Sequence, residues 1–246
     1  MVAPNGARKT KADHPALPMT IAETVAAARD AFAAGSDALH AHVRDAVGQH
    51  SLDAGLYREL IKEMDRVVPE MPVQITTEAA GKFGPDSQRK VVREVRPEGV
   101  SVALREMWPS DGPDADARTF YAWAEDEGIA VQHILYTPED AARLAALVEG
   151  DCLPAAVQCL FVLGAYAPPR DGRPEDIAPF LEALAPLGSQ VDWAACAFGK
   201  TETICLEAAA KRGGKIRVGF ENNVFDADGS RAADNAYRVG RVLGAL

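Results

Sequence analysis

The feature that most constrains this chain is a rhythm: short, continuously apolar runs alternate with helical patterns along nearly its whole length. DALHAHV (37–43), VQITT (73–77), VSVAL (100–104), IAVQHILY (129–136), AAVQCLFVLG (155–164), VDWAACAF (191–198) and KIRVGF (215–220) read as strands. Strands apolar on both faces need cover on both, so helices between them predict a parallel sheet wrapped by helices. The segment 20–34 places Ile21, Val25, Ala28 and Phe32 on one stripe, opens on a Thr20–Glu23 capping pair and stops at Gly35. Further helices are predicted over 53–68 (capped by Asp53, ended by Pro69), 87–95, 114–127, 138–148, 203–211 and 234–246. One more is predicted over 174–187, starting or bending near Pro179.

An eighth strand is offered by Met1–Ala3, cut short by Pro4. At roughly 30 residues per strand–helix unit, eight units need about 240 residues, close to the 246 present. The expectation is an α/β chain forming one (β/α)8 TIM barrel over 1–246, with a shortened first strand. No GxGxxG follows the first strand, which disfavours a dinucleotide-binding sheet. Aperiodic stretches at 5–19, 77–88 and 165–173 each follow a strand, where a barrel places its active site.

Charge narrows the partners. With 26 Lys+Arg against 36 Asp+Glu the formal charge is −10, which argues against nucleic acid and anionic membrane surfaces. There is no apolar run of 18 residues and no signal-peptide pattern. Cys152, Cys159, Cys196 and Cys205 have no CxxC spacing and read as buried free thiols. A cytoplasmic protein is expected.

The sharpest chemical feature is His40-Ala41-His42. Side chains alternate along a strand, so both imidazoles share one face and can reach one divalent ion. By itself HxH also fits two histidines satisfied by hydrogen bonds. At the last strand, Arg217 and Glu221 bracket a glycine, and barrel closure would bring Glu221 beside the histidines. Two histidines and one glutamate leave a position open for water or substrate.

NGARKTKADHPALPMT, AFAAGSDALHAHVRD, VQITTEA, FVLG and IRVGFENN occur in this order and spacing. With the paired motifs HxHxR and RxGxE[DN]N, the chain from Asn5 to Tyr237 resembles the β-keto acid cleavage enzymes. The resemblance implies a zinc-dependent barrel (another divalent metal being compatible), assembled as a homo-oligomer, dimer or tetramer. It implies that a small-molecule β-keto acid and acetyl-CoA, as co-substrate, give acetoacetate and a new acyl-CoA. His40, His42 and Glu221 fall on the family's metal ligands, Arg217 on the arginine that holds the substrate carboxylate, and Thr76 on a pocket-lining Ser/Thr. A metal there would polarise the keto oxygen while Arg217 grips a carboxylate through two hydrogen bonds. Asn5, Arg44 and Thr77, which belong to the same motifs, join Arg8 and Arg105 as candidate substrate-binding residues.

Departures qualify this reading. Asn222 stands where the family places an acid/base aspartate, and an amide takes no proton at neutral pH. Arg8 stands where a glutamate is usual, TTEAAGKFGP replaces a glycine-rich run, and VSVALREMW brings Arg105 to the same mouth. Arg8 and Arg105 would favour a more anionic substrate or obstruct coenzyme A. Two alternatives therefore stand: a metal-dependent carbonyl lyase or aldolase working without CoA, and a metal- and carboxylate-binding barrel with little catalysis. His14 and His50 read as loop residues, and His133 as a mid-strand residue facing helices. Relatives are generally longer at both ends, so a short first strand and a reduced C-terminal share of the oligomer interface are expected.

Overall fold

The computed structural model describes residues 1–110 and 112–246. Its strands are β1 (Leu39–Ala41), β2 (Val43–Arg44), β3 (His50–Ser51), β4 (Val73–Thr76), β5 (Gly99–Ala103) and β6 (Ala130–Leu135), followed by β7 (Val157–Leu163), β8 (Ala165–Tyr166), β9 (Pro169–Arg170), β10 (Val191–Ala197) and β11 (Lys215–Ile216). The helices are α1 (Ile21–Ala33), α2 (Ala54–Val67), α3 (Pro85–Val95), α4 (Leu104–Met107) and α5 (Ala115–Asp126), then α6 (Pro138–Glu149), α7 (Ile177–Leu184), α8 (Glu202–Lys211) and α9 (Asn235–Leu243). Seven strands form one sheet in the order β1-β4-β5-β6-β7-β10-β11, all parallel. The pairs β2–β3 and β8–β9 are small antiparallel hairpins above it.

The expected first strand shrinks to one bridging residue. Val2 pairs in parallel with Leu39 at one edge of the sheet and with Val218, just past β11, at the other. His40 N donates to Val2 O and Ala3 N to Val218 O, each at 2.8 Å. One residue touching both edges requires the sheet to curl. Pro4 has no N–H to extend the pairing. Gly219, at φ +146°, lies so close to Ala3 that a Cβ would strike the Ala3 carbonyl.

Strand alternation separates two cores. Phe161, Leu163, Ala195 and Ala197 face the helices with the main core, while Leu160, Val162, Ala194 and Cys196 face the inside of the curl with Ile134 and Phe198. On α1 the buried stripe is Thr24, Val25, Ala28 and Ala31. Phe32, expected inside, is 36% exposed, because α1 packs against both α2 and α9 and position 31 turns inward instead. The expected helix over 174–187 is three pieces: a 3₁₀ turn (Pro174–Asp176), α7, and a 3₁₀ stretch (Ala185–Gln190). Pro179 is the third residue of α7, where an N–H would have no intrahelical acceptor. All four cysteines are free, with Cys159, Cys196 and Cys205 buried. Among the described residues no helix is long and apolar enough to cross a membrane.

Candidate metal centre and active site

His40 leaves β1 toward the inside of the curl, and its register partner on β4 is Gln74. His40 Nδ1 lies 2.7 Å from Gln74 Oε1. An amide oxygen only accepts, so Nδ1 carries the proton and Nε2 keeps its lone pair. Gln74 is itself steadied by Gln132 Oε1 at 3.3 Å. Asn5 holds the backbone of His42, donating to its carbonyl at 2.9 Å and accepting from its N–H at 3.4 Å.

Glu221 reaches the same point from the far edge. Its N–H donates to Ala3 O, and its carbonyl accepts from Lys9 Nζ at 2.5 Å and from the Tyr166 hydroxyl. Gly6 (φ +66°) backs it closely, since a Cβ there would stand 2.6 Å from Glu221 Cγ. The loop bearing Glu221 is anchored by a buried ion cluster in which Arg238 binds Asp226 at 2.6 Å and Glu202 at 2.5 Å.

These placements bring three ligand atoms together. His40 Nε2 and His42 Nε2 are 3.2 Å apart, and each lies 3.4 Å from Glu221 Oε2. Among the described residues, this is the group whose donor atoms converge as a metal requires. Glu221 Oε2 is buried without a hydrogen-bond partner, and burial pulls the His40 imidazole down to about 3, which keeps it neutral. Burial opposes ionisation of Glu221, yet Arg217 and the two histidines hold its carboxyl well below the usual carboxylate range. A buried anionic oxygen without a donor beside two imidazole nitrogens fits a divalent cation.

Arg217 is 4% exposed. Its Nη2 donates to Glu221 Oε1 at 3.1 Å, Asn222 Oδ1 at 3.2 Å and Cys196 Sγ at 3.5 Å. Its Nε and Nη1 are buried and unpartnered. Desolvation works against its charge, but Glu221 more than restores it. Arg217, His40, Glu221, Asn222 and Thr76 line one cavity of about 420 Å³. Ile134, Val162, Phe198, Tyr136 and Tyr166 line the same cavity.

The other expected substrate residues separate. Arg8 lines the cavity mouth, its side chain 59% exposed and 3.8 Å from Glu78. Arg105 also lines the cavity, but it is paired with Asp140 at 2.5 Å and stacked over the Tyr136 ring, so its charge is already matched. Asn5, Arg44 and Thr77 do not line the cavity. Arg44 donates to the carbonyls of Gly6, Ala7, Lys9 and Gly48 and thereby shapes the N-terminal loop. Thr77 Oγ1 donates to Ser101 O at 3.0 Å.

Of the two histidines read as loop residues, His14 does lie in a loop while His50 falls on a strand, and both are buried. His14 contacts Ala232 O at 2.8 Å and packs on Phe220. His50 sits on β3, 3.0 Å from Glu78 O and with its ring centre 5.1 Å from that of His42. His133 is buried against Tyr121, a residue of α5, as expected. Glu78, Lys9, Gln74 and Tyr166 are site residues that pattern reading missed. Only Glu78 carried a signal, as the acid in a loop otherwise expected to be glycine-rich.

The family model described as beta-keto acid cleavage enzyme matches residues 1–246. A 3-oxoadipate:acetyl-CoA acetyltransferase from Cupriavidus necator is 25% identical over 255 residues, covering 98% of this chain and 85% of that protein. A 3-keto-5-aminohexanoate cleavage enzyme from Fusobacterium nucleatum is 25% identical over 244 residues, covering 97% and 87%. Among solved structures, ObcA in binary complex with oxaloacetate superposes with a TM-score of 0.71 at 14% identity, covering 94% of this chain. The chain spans 64% of the length of ObcA. A type I 3-dehydroquinate dehydratase from Clostridium difficile gives a TM-score of 0.61 at 10% identity, covering 99% and 89%. At such identities these structures speak to the fold alone.

Proposed function

Because the chain belongs to the beta-keto acid cleavage enzyme family, whose model spans residues 1–246, we propose that it is a metal-dependent enzyme converting a small β-keto acid and acetyl-CoA into acetoacetate and a new acyl-CoA. The observation that carries this reading is the convergence of His40 Nε2, His42 Nε2 and the unpartnered Glu221 Oε2 beside the free donors of Arg217. When bound there, a divalent metal such as zinc supplies Lewis-acid polarisation of the keto group.

The remaining work falls to the chain's own side chains. Arg217 Nη1, buried and without a partner, binds the substrate carboxylate, and the shared Nη2 keeps the guanidinium fixed against Glu221 and Asn222. Asn222 orients Arg217 and moves no proton. Thr76 lines the near wall, and the acyl tail packs on Ile134, Val162 and Phe198. Arg8, exposed at the mouth, meets an anionic part of the incoming substrate or of coenzyme A. In the same reading, Val2 closes the sheet into a single (β/α)8 barrel domain, and the enzyme works as a cytoplasmic homo-oligomer.

The test is direct. Zinc-loaded protein, acetyl-CoA and a panel of β-keto acids should yield acetoacetate that depends on both metal and acetyl-CoA. No acetoacetate from any member overturns the reading, and cleavage independent of CoA replaces it with a lyase.

A further inference from the structure

The two imidazoles of the metal centre are supported unequally. His40 has Gln74 Oε1 behind its Nδ1 at 2.7 Å. His42 turns its Nε2 to the same point, but its Nδ1 is buried with no hydrogen-bond partner. The carboxylate next to that nitrogen is Glu78, whose Oε2 stands 3.9 Å away. His50 is the other near group: its Nε2 donates to the Glu78 carbonyl, and its Nδ1, buried without a partner, is a neutral acceptor beside the charged carboxylate.

Glu78 is built to stay there. Its N–H donates to Thr76 Oγ1 at 3.0 Å and its carbonyl meets His50, so its backbone is held on both sides. Its side chain is 19% exposed, and its cationic neighbour, Arg8, is largely in solvent at 3.8 Å. The carboxylate therefore lies between the cavity and His42 without being consumed by a buried ion pair. A neutral imidazole that ligates through Nε2 must carry its proton on Nδ1, and a buried N–H without an acceptor costs its full desolvation. Metal-bound histidines meet this by donating the second ring N–H to a carboxylate or carbonyl.

We propose that Glu78 is the outer carboxylate of the metal centre, accepting the Nδ1–H of His42 and so holding its Nε2 lone pair on the ion. Glu78 is a positioning residue: it does for His42 what Gln74 does for His40, with a full charge that also strengthens the ligand. The inference rests on the metal-centre reading above, and it concerns a position where this chain departs from the glycine-rich pattern expected there.

Zinc affinity of the wild type, Glu78→Ala and Glu78→Gln, measured by competition with a chromophoric chelator, tests it. Glu78→Ala should bind zinc 10- to 100-fold more weakly, with thermal unfolding of the metal-free protein unchanged. Glu78→Gln, which keeps an acceptor oxygen, should fall between. Long-range 1H–15N NMR of zinc-loaded wild type should place the His42 proton on Nδ1. Zinc affinity of Glu78→Ala within twofold of wild type, or a His42 Nδ1 without a proton, overturns the proposal while leaving the metal centre standing. If wild type takes up no metal, both fall together.

Discussion

The Nε2 nitrogens of His40 and His42 lie 3.2 Å apart, although the two residues share one short segment and their rings meet at 77°. Such an approach brings two ring nitrogens to one point, with the unpartnered Glu221 Oε2 3.4 Å from each. A cation reconciles all three. His42→Ala and His40→Ala should each reduce bound zinc from about one per chain to a small fraction of that, since three protein ligands become two. Elemental analysis of purified protein checks this, and unchanged metal content would refute the ligand assignment.

Arg217 lines the cavity and keeps its Nη1 buried without a partner. Removing it leaves both Glu221 and a bound carboxylate without their cation. Arg217→Ala should weaken binding of a β-keto acid by about 2–5 kcal/mol, and Arg217→Lys should recover only part of that because it lacks the planar fork. Calorimetric titration of metal-loaded protein reads the difference. Equal affinity in the alanine variant would remove the carboxylate-holding role.

The seat of the N-terminal segment depends on Gly219, where φ is +146° and a Cβ would meet the Ala3 carbonyl. Gly213 is also left-handed, at φ +81°, but has no atom within 4 Å of a built Cβ. Gly213→Ala should cost about 1 kcal/mol from backbone conformation alone. Gly219→Ala should cost distinctly more, because it also unseats the Val2 bridge. Urea unfolding of both variants decides, and equal losses would show that the close approach carries no weight.

Acid should destabilise the protein partly through His133. Burial pulls its imidazole from 6.5 to about 4, so the folded state binds fewer protons than the unfolded chain. Its contribution is therefore complete above pH 6.5 and is lost as pH falls toward 4, by up to about 3 kcal/mol. His133→Leu should flatten the stability profile across that window. An unchanged slope in chemical denaturation between pH 7 and pH 4.5 would exclude His133 as a contributor.

The sheet strands and most helices were legible because their evidence is local. Short continuously apolar runs, capping pairs such as Thr20–Glu23 and stops such as Gly35 act within a few residues. The candidate metal ligands were legible for a different reason, since HxH on one strand and the RxGxE run are motifs whose order along the chain can be matched. Helix faces were less so. Which of Ala31 and Phe32 turns inward depends on packing between α2 and α9, and no property of the α1 sequence contains that.

Charge pairing was the least legible of all. Arg8 and Arg105 looked equivalent as added cations, yet Asp140, 35 residues along the chain, takes up Arg105 while Arg8 stays at the mouth. Arg44 belongs to a motif of site residues but spends its donors on loop carbonyls. By itself the sequence determined the alternation of strands and helices and singled out His40, His42 and Glu221 as candidate ligands, because periodicity and motif spacing are properties of the chain. Only the tertiary structure decided which charges remain free to meet a substrate and which carboxylate stands behind His42. Those depend on distances between segments far apart in sequence, and electrostatic energy at a few ångströms is set by distance and burial.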